Sequence, residues 1–278
     1  MQQISEADKQ LAAIILMCGL FFVMAKAVYE NVKKERLTLF NLLHPVKKIT
    51  AKERQFISQF LQPFHILNSD QRRTFLERFA WFKSKKPFIF YGNIENKEEI
   101  KAYVTASAVL LTLGMNNYRF EKSIVRVIIY PSKYYSKISR RHHIGEYNPR
   151  LRTLVFSAEG LKDGFGIPND NVNLGVHEVA HALMIETLRK PSFEAKSFQV
   201  GLAKIKELFE SDAFSERLSQ STYFREYGQT NFVEFFAVIT ENFVETPQMF
   251  KQDFPDLYEI VRRMYNFDLN DTGWNLRS

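Results

Sequence analysis

Residues 177–181 read His-Glu-Val-Ala-His, set among apolar residues at helical spacing: Val176, Val179, Ala180, Leu183 and Met184. This stretch constrains the chain more than any other. A charged trio on an apolar helix is costly to bury unless each member has a partner. Two histidines four apart point the same way, so His177 and His181 can both reach one metal ion. Glu178 is then placed to take a proton from an attacking water. Asn173 is a candidate N-cap for this helix, and Gly175 falls in its first turn. The bland alternative is a buried His–Glu cluster held by hydrogen bonds alone.

Zinc sites of this kind add a carboxylate or a third histidine and keep one position open for water. Ala182–Arg189 holds no histidine, which argues against a three-histidine pattern. The stretch from Asn231 to Thr246, stopped by Pro247, is apolar almost all round and reads as a buried helix. Glu234, near its start, would be an unpaired buried carboxylate if it bound nothing, so it is the candidate third ligand. Glu241 lies two turns further along the same face and is a candidate to orient a ligand histidine. A structural hydrogen bond or ion pair is the alternative for Glu241.

These residues carry a resemblance. HEVAH, Tyr227 seven residues before Glu234, EFFAVITENFVETP and FPDLYEIVRRMYNFD are similar to the Mlc titration factor A (MtfA) family of zinc peptidases. The similarity runs from about Leu61 to Asp268 and includes PFHILNSDQRRTFLERFAWFKSKKPF, VTASAVLLTLGM, IVRVIIYPS and LVFS. It implies one zinc ion on His177, His181 and Glu234, Glu178 as catalytic base, and Tyr227 as an active-site tyrosine. A tyrosine hydroxyl suits a neutral donor to an oxyanion. The resemblance further implies peptidase activity, aminopeptidase-like in some relatives, and a transcriptional repressor of sugar-transport genes as a partner. One departure is that the family's HExxHxLD becomes His181-Ala-Leu-Met-Ile-Glu186 here. A non-catalytic regulatory or scaffold protein on the same fold is the rival reading, as is a zinc hydrolase of a non-peptide amide.

The second constraint is at the N-terminus. Leu11 to Ala25 carries no charge, and with Lys26 snorkelling the apolar run extends to Tyr29. That length suits a short transmembrane anchor; a cleaved signal peptide or a buried helix are the alternatives. Residues 26–54 hold eight basic and three acidic residues, most of the chain's net charge of +7. Positive flanks stay cytoplasmic, so the expectation is a single-pass inner-membrane protein with its catalytic domain in the cytoplasm. The clustered charge is explained by anionic lipid and needs no nucleic acid partner. Cys18 is the lone cysteine, which excludes a disulfide framework and a cysteine zinc cluster.

The expected organisation is an anchor over 1–29, a basic linker over 30–50 and a peptidase domain over 51–278. The fold class is α+β: a mostly helical zincin-like domain with a small sheet, preceded by one transmembrane helix. Helical patterns cover 52–83, 97–113, 196–209, 233–244 and 257–265, and strands 124–130 and 153–157. Residues 164–173 read as a loop into the HEVAH helix. One strand is expected to hold an extended peptide substrate by its edge. Arg140-Arg141-His142-His143 reads as a basic solvated loop, because adjacent side chains do not share a face to bind metal.

Overall fold

The structure, a computed structural model, describes residues 6–35, 45–116, 119–136, 140–225 and 230–269. The chain divides into two compact units, residues 1–45 and 46–278. The first holds helix α1 (Glu6–Glu35), whose described side chains from Ala12 to Lys26 are all exposed. The helix therefore runs past the expected anchor boundary into the expected linker. The expected membrane span is not found: among the described residues, no helix is long and apolar enough to cross a membrane.

The second unit is mostly helical with a small sheet. Helices α2 (Ala51–Phe60), α3 (Pro63–Ile66) and α4 (Ser69–Lys85) lead into strand β1 (Phe88–Phe90) and helix α5 (Lys97–Leu110). Two capping boxes, Thr50 with Glu53 and Asn68 with Gln71, fix the starts of α2 and α4. Strands β2 (Arg126–Tyr130), β3 (Tyr134–Ser136), β4 (Arg141–His143), β5 (Gly145–Asn148) and β6 (Thr153–Ser157) follow. The four-stranded sheet has the order β1-β2-β6-β5; β5 is antiparallel to β6 and the other pairs are parallel. Strand β6 is buried at every residue, as a central strand covered on both faces should be. Strand β5 forms an edge. Strands β3 and β4 form a separate antiparallel pair, so 141–143 is strand and not loop.

Helix α6 (Ala158–Gly166) occupies part of the expected 164–173 loop. Its glycines disguise it in the sequence, but Ser157 caps it by accepting from the Gly160 N–H. Then come α7 (Leu174–Leu188), α8 (Phe193–Phe209), α9 (Asp212–Ser219), α10 (Phe232–Glu245), α11 (Pro247–Asp253) and α12 (Pro255–Tyr265). Prolines open α11 and α12, where a missing N–H costs nothing.

The core beneath the second unit is rich in phenylalanine. Phe198 of α8 meets Phe236 of α10 and Tyr265 of α12 edge-on, with ring centroids 5.8 and 5.7 Å apart. Phe224 meets Phe235, Phe250 and Phe254 in a second aromatic cluster. These contacts hold α10 rigidly against its neighbours. Glu186 ties down the far end of α7. It is 1% exposed, accepts from the Lys122 and Ser123 N–H groups and the Ser123 hydroxyl, and pairs with Lys190 at 2.7 Å. Glu186 is thus a structural anchor, and the family's Asp position is occupied here by Met184.

Candidate metal centre

Helix α7 crosses α10 so that His177, His181 and Glu234 converge. One donor atom from each lies within 4.8 Å of the others. Glu234 Oε2 stands 3.1 Å from His177 Nε2 and 3.7 Å from His181 Nε2. Donors around a tetrahedral zinc-like ion at about 2.0–2.2 Å would stand about 3.3–3.6 Å apart, so this donor set fits one. Local sequence produces the geometry. The Asn173 side chain accepts from the Val176 N–H and starts α7 one turn before His177. The Asn231 side chain accepts from the N–H groups of Val233 and Glu234, which fixes the backbone of the third donor.

Glu241 sits behind His177. The His177 Nδ1 lies 3.1 Å from Glu241 Oε2, and the Asn173 N–H donates to Glu241 Oε1 at 2.8 Å. Arg225 Nη2 also donates to Glu241 Oε2. A carboxylate that takes the Nδ1 proton leaves Nε2 to face the metal. Burial alone would pull the His177 imidazole down. Hydrogen bonds to Glu234 and Glu241, with the nearby carboxylate charges, carry it up to about 10. The Glu234 carboxyl is held well below its usual range by the two histidines, which outweigh its burial.

Glu178 points the other way, toward the sheet. Burial raises its carboxyl, and His181 and His177 draw it partly back. The Tyr147 backbone, on β5, also lowers it slightly. Strand β5 comes this close because residue 145 has no side chain. A Cβ there would lie 2.5 Å from Leu174 Cδ1 and 3.3 Å from Glu178 Cγ. Above the crossing lies a cleft of about 340 Å³ walled by His142, His143, Gly145, Leu174, Glu178 and Arg225.

Tyr227 lies outside the described residues. The structure brings the other candidates together: His177, His181 and Glu234 at the donor cluster, Glu178 beside it, Glu241 behind it. Sequence reasoning missed Arg225, Gly145 and the backbone of Tyr147. It also set His142 and His143 apart from the site whose cleft they line. The one available signal was proximity in sequence of the His142-His143 pair to a strand leading back to the HEVAH helix.

A sequence model of the glucose-regulated metallo-peptidases M90 matches residues 31–266. The chain is also 27% identical over 219 residues to an uncharacterized protein of Synechocystis sp., covering 73% of this chain and 79% of the relative.

Proposed function

The chain belongs to the glucose-regulated metallo-peptidase family M90, and from that premise we propose that it is a zinc-dependent peptidase whose general base is Glu178. The family implies a metal ion and a hydrolase. The observation that carries the finer reading is the convergence of His177, His181 and Glu234 with Glu178 beside them and outside the donor set. Borderline-soft imidazole nitrogens with one carboxylate suit zinc.

Zinc, when bound, acts as a Lewis acid toward the scissile carbonyl and lowers the pKa of water. The chain's residues do the rest. Glu178, buried beside β5, accepts a proton from the attacking water and passes it to the leaving amine. Glu241 holds the His177 ring in one orientation. Tyr227 is assigned the donor to the oxyanion on the family resemblance. A substrate in extended form adds antiparallel to the free edge of β5, which places its backbone over Glu178.

Exposed apolar α1 and the basic segment after it support a membrane-surface location with the second unit on the cytoplasmic side. A repressor of sugar-transport genes as partner is part of the same proposal.

The deciding experiment is zinc content of the purified chain beside Glu234→Ala, followed by a peptide-library cleavage screen. One zinc per chain, lost in the variant, with cleavage in the parent, supports the reading. A well-folded parent that takes no zinc when offered it points to a scaffold, and a zinc-loaded parent that cuts no peptide sinks the peptidase claim.

A further inference from the structure

Resting on that reading, we infer that the β3–β4 hairpin selects substrates carrying acidic side chains beside the bond to be cut. Residues 131–145 contain no acidic residue. On the hairpin, Lys133, Arg140 and Arg141 are exposed and have no ion-pair partner among the described residues, and His142 lines the catalytic cleft. The other basic side chains at the cleft are engaged: Arg225 holds Glu241, and His143 lies 3.7 Å from Glu146.

The hairpin is a built feature. Tyr134 stacks on Tyr130 of β2 with centroids 4.7 Å apart, and His142 packs edge-on against Tyr135 at 5.3 Å. Arg140 takes a left-handed backbone, φ 55°, and its N–H donates to the Ser136 carbonyl at 2.8 Å. Non-glycine residues adopt that conformation uncommonly. Through Ile144 the hairpin passes directly into β5, whose Gly145 touches Glu178. Arg141 is four residues from Gly145, a reach of at most about 14 Å. A peptide lying on β5 therefore carries its flanking residues past these cations.

Acidic peptide is favoured over nucleic acid because Arg140 and Arg141 directly precede His142, which lines the cleft that holds Glu178, and the chain runs from them into the edge strand β5. A strand edge recognises peptide backbone.

The test uses the full chain, zinc-loaded, carrying Glu178→Gln so that peptides bind without turnover. Fluorescence anisotropy compares a labelled decapeptide with Asp and Glu flanking its centre against the same peptide with Asn and Gln. About tenfold tighter binding of the acidic peptide at low salt, shrinking sharply at high salt, is expected. Adding Arg140→Gln and Arg141→Gln should bring the two peptides to near parity, while Arg140→Lys with Arg141→Lys keeps the preference. In the active chain the advantage should appear in KM rather than kcat. Equal affinities in the parent overturn the inference, and so does a preference that survives the double glutamine change in a folded protein. A single-stranded oligonucleotide that binds more tightly than the acidic peptide, and depends on the same arginines, overturns it in favour of nucleic acid. Selective binding without cleavage of any peptide by the active chain would uphold the surface and remove the peptidase reading.

Discussion

The Nδ1 nitrogen of His177 lies 3.1 Å from Glu241 Oε2, and Glu241 is itself only 1% exposed. Helix α10 thus reaches the metal centre twice, with Glu234 in front of His177 and Glu241 behind it. Replacing Glu241 with alanine removes the acceptor that orients the ring and a negative charge near the ion, and both changes weaken metal binding. The expected loss is about 10- to 100-fold in metal affinity. Chelator competition on folded protein measures it; an affinity within twofold of the parent would deny Glu241 that role.

Glu178 is not among the three converging donors. Glu178→Gln should keep its metal and lose hydrolysis by a factor of at least about 10² to 10⁴. Metal content and turnover on the same sample separate the two effects. Joint loss of metal and activity would make Glu178 a ligand rather than a base.

Gly145 permits the contact between β5 and α7. In Gly145→Ala the new methyl would meet Leu174 Cδ1 at 2.5 Å, so the Leu174 side chain or the strand must shift. The stability cost is about 1–3 kcal/mol, which corresponds to a fall in Tm of roughly 2–4 °C per kcal/mol. Turnover should fall further than stability alone explains, because the new methyl also crowds Glu178 Cγ at 3.3 Å. Thermal melts paired with kinetics at a temperature where both proteins are folded decide this; unchanged turnover would show that the strand does not brace the base.

Glu245, on α10, accepts from the Asn173 side chain and the Asn171 N–H. Burial pushes its carboxyl up to about 7, with the Asn173 hydrogen bond pulling back. A carboxyl whose folded pKa is raised contributes stability that is complete below its unfolded value and is lost as pH rises through the folded one. Stability should therefore decline between about pH 4.5 and 7 through this group. Denaturant titrations across that range should show the decline in the parent and a smaller one in Glu245→Gln. An identical pH profile would assign the loss to other groups.

What could be read from the sequence was whatever local spacing encodes. His177 and His181 share a face because four residues make about one turn, and Asn231 and Pro247 bracket the buried α10. Strand β6 was legible because its centre, Leu154-Val155-Phe156, is a short β-prone apolar run. Strand β5 was not: Gly-Glu-Tyr-Asn is a strand only by pairing with β6, which is a long-range fact. The Arg-His-His of β4 reads as solvated loop by composition, and its pairing with Tyr134–Ser136 overrides that. The site's walls come from such pairings, so the donors were visible and the cleft was not. At the N-terminus hydropathy suggested a span, and among the described residues no helix is long and apolar enough to be one.

Asn173 joins two obligations in one residue. Its side chain caps α7 and donates to the Gly164 carbonyl, and its backbone N–H holds Glu241. Helix initiation and alignment of the metal ligands are therefore not independent traits. A variant that loosens this residue would blur the register between two helices while the aromatic core beneath stays intact. Such a protein would stop working at temperatures where it is still folded, so its functional limit would sit below its melting point.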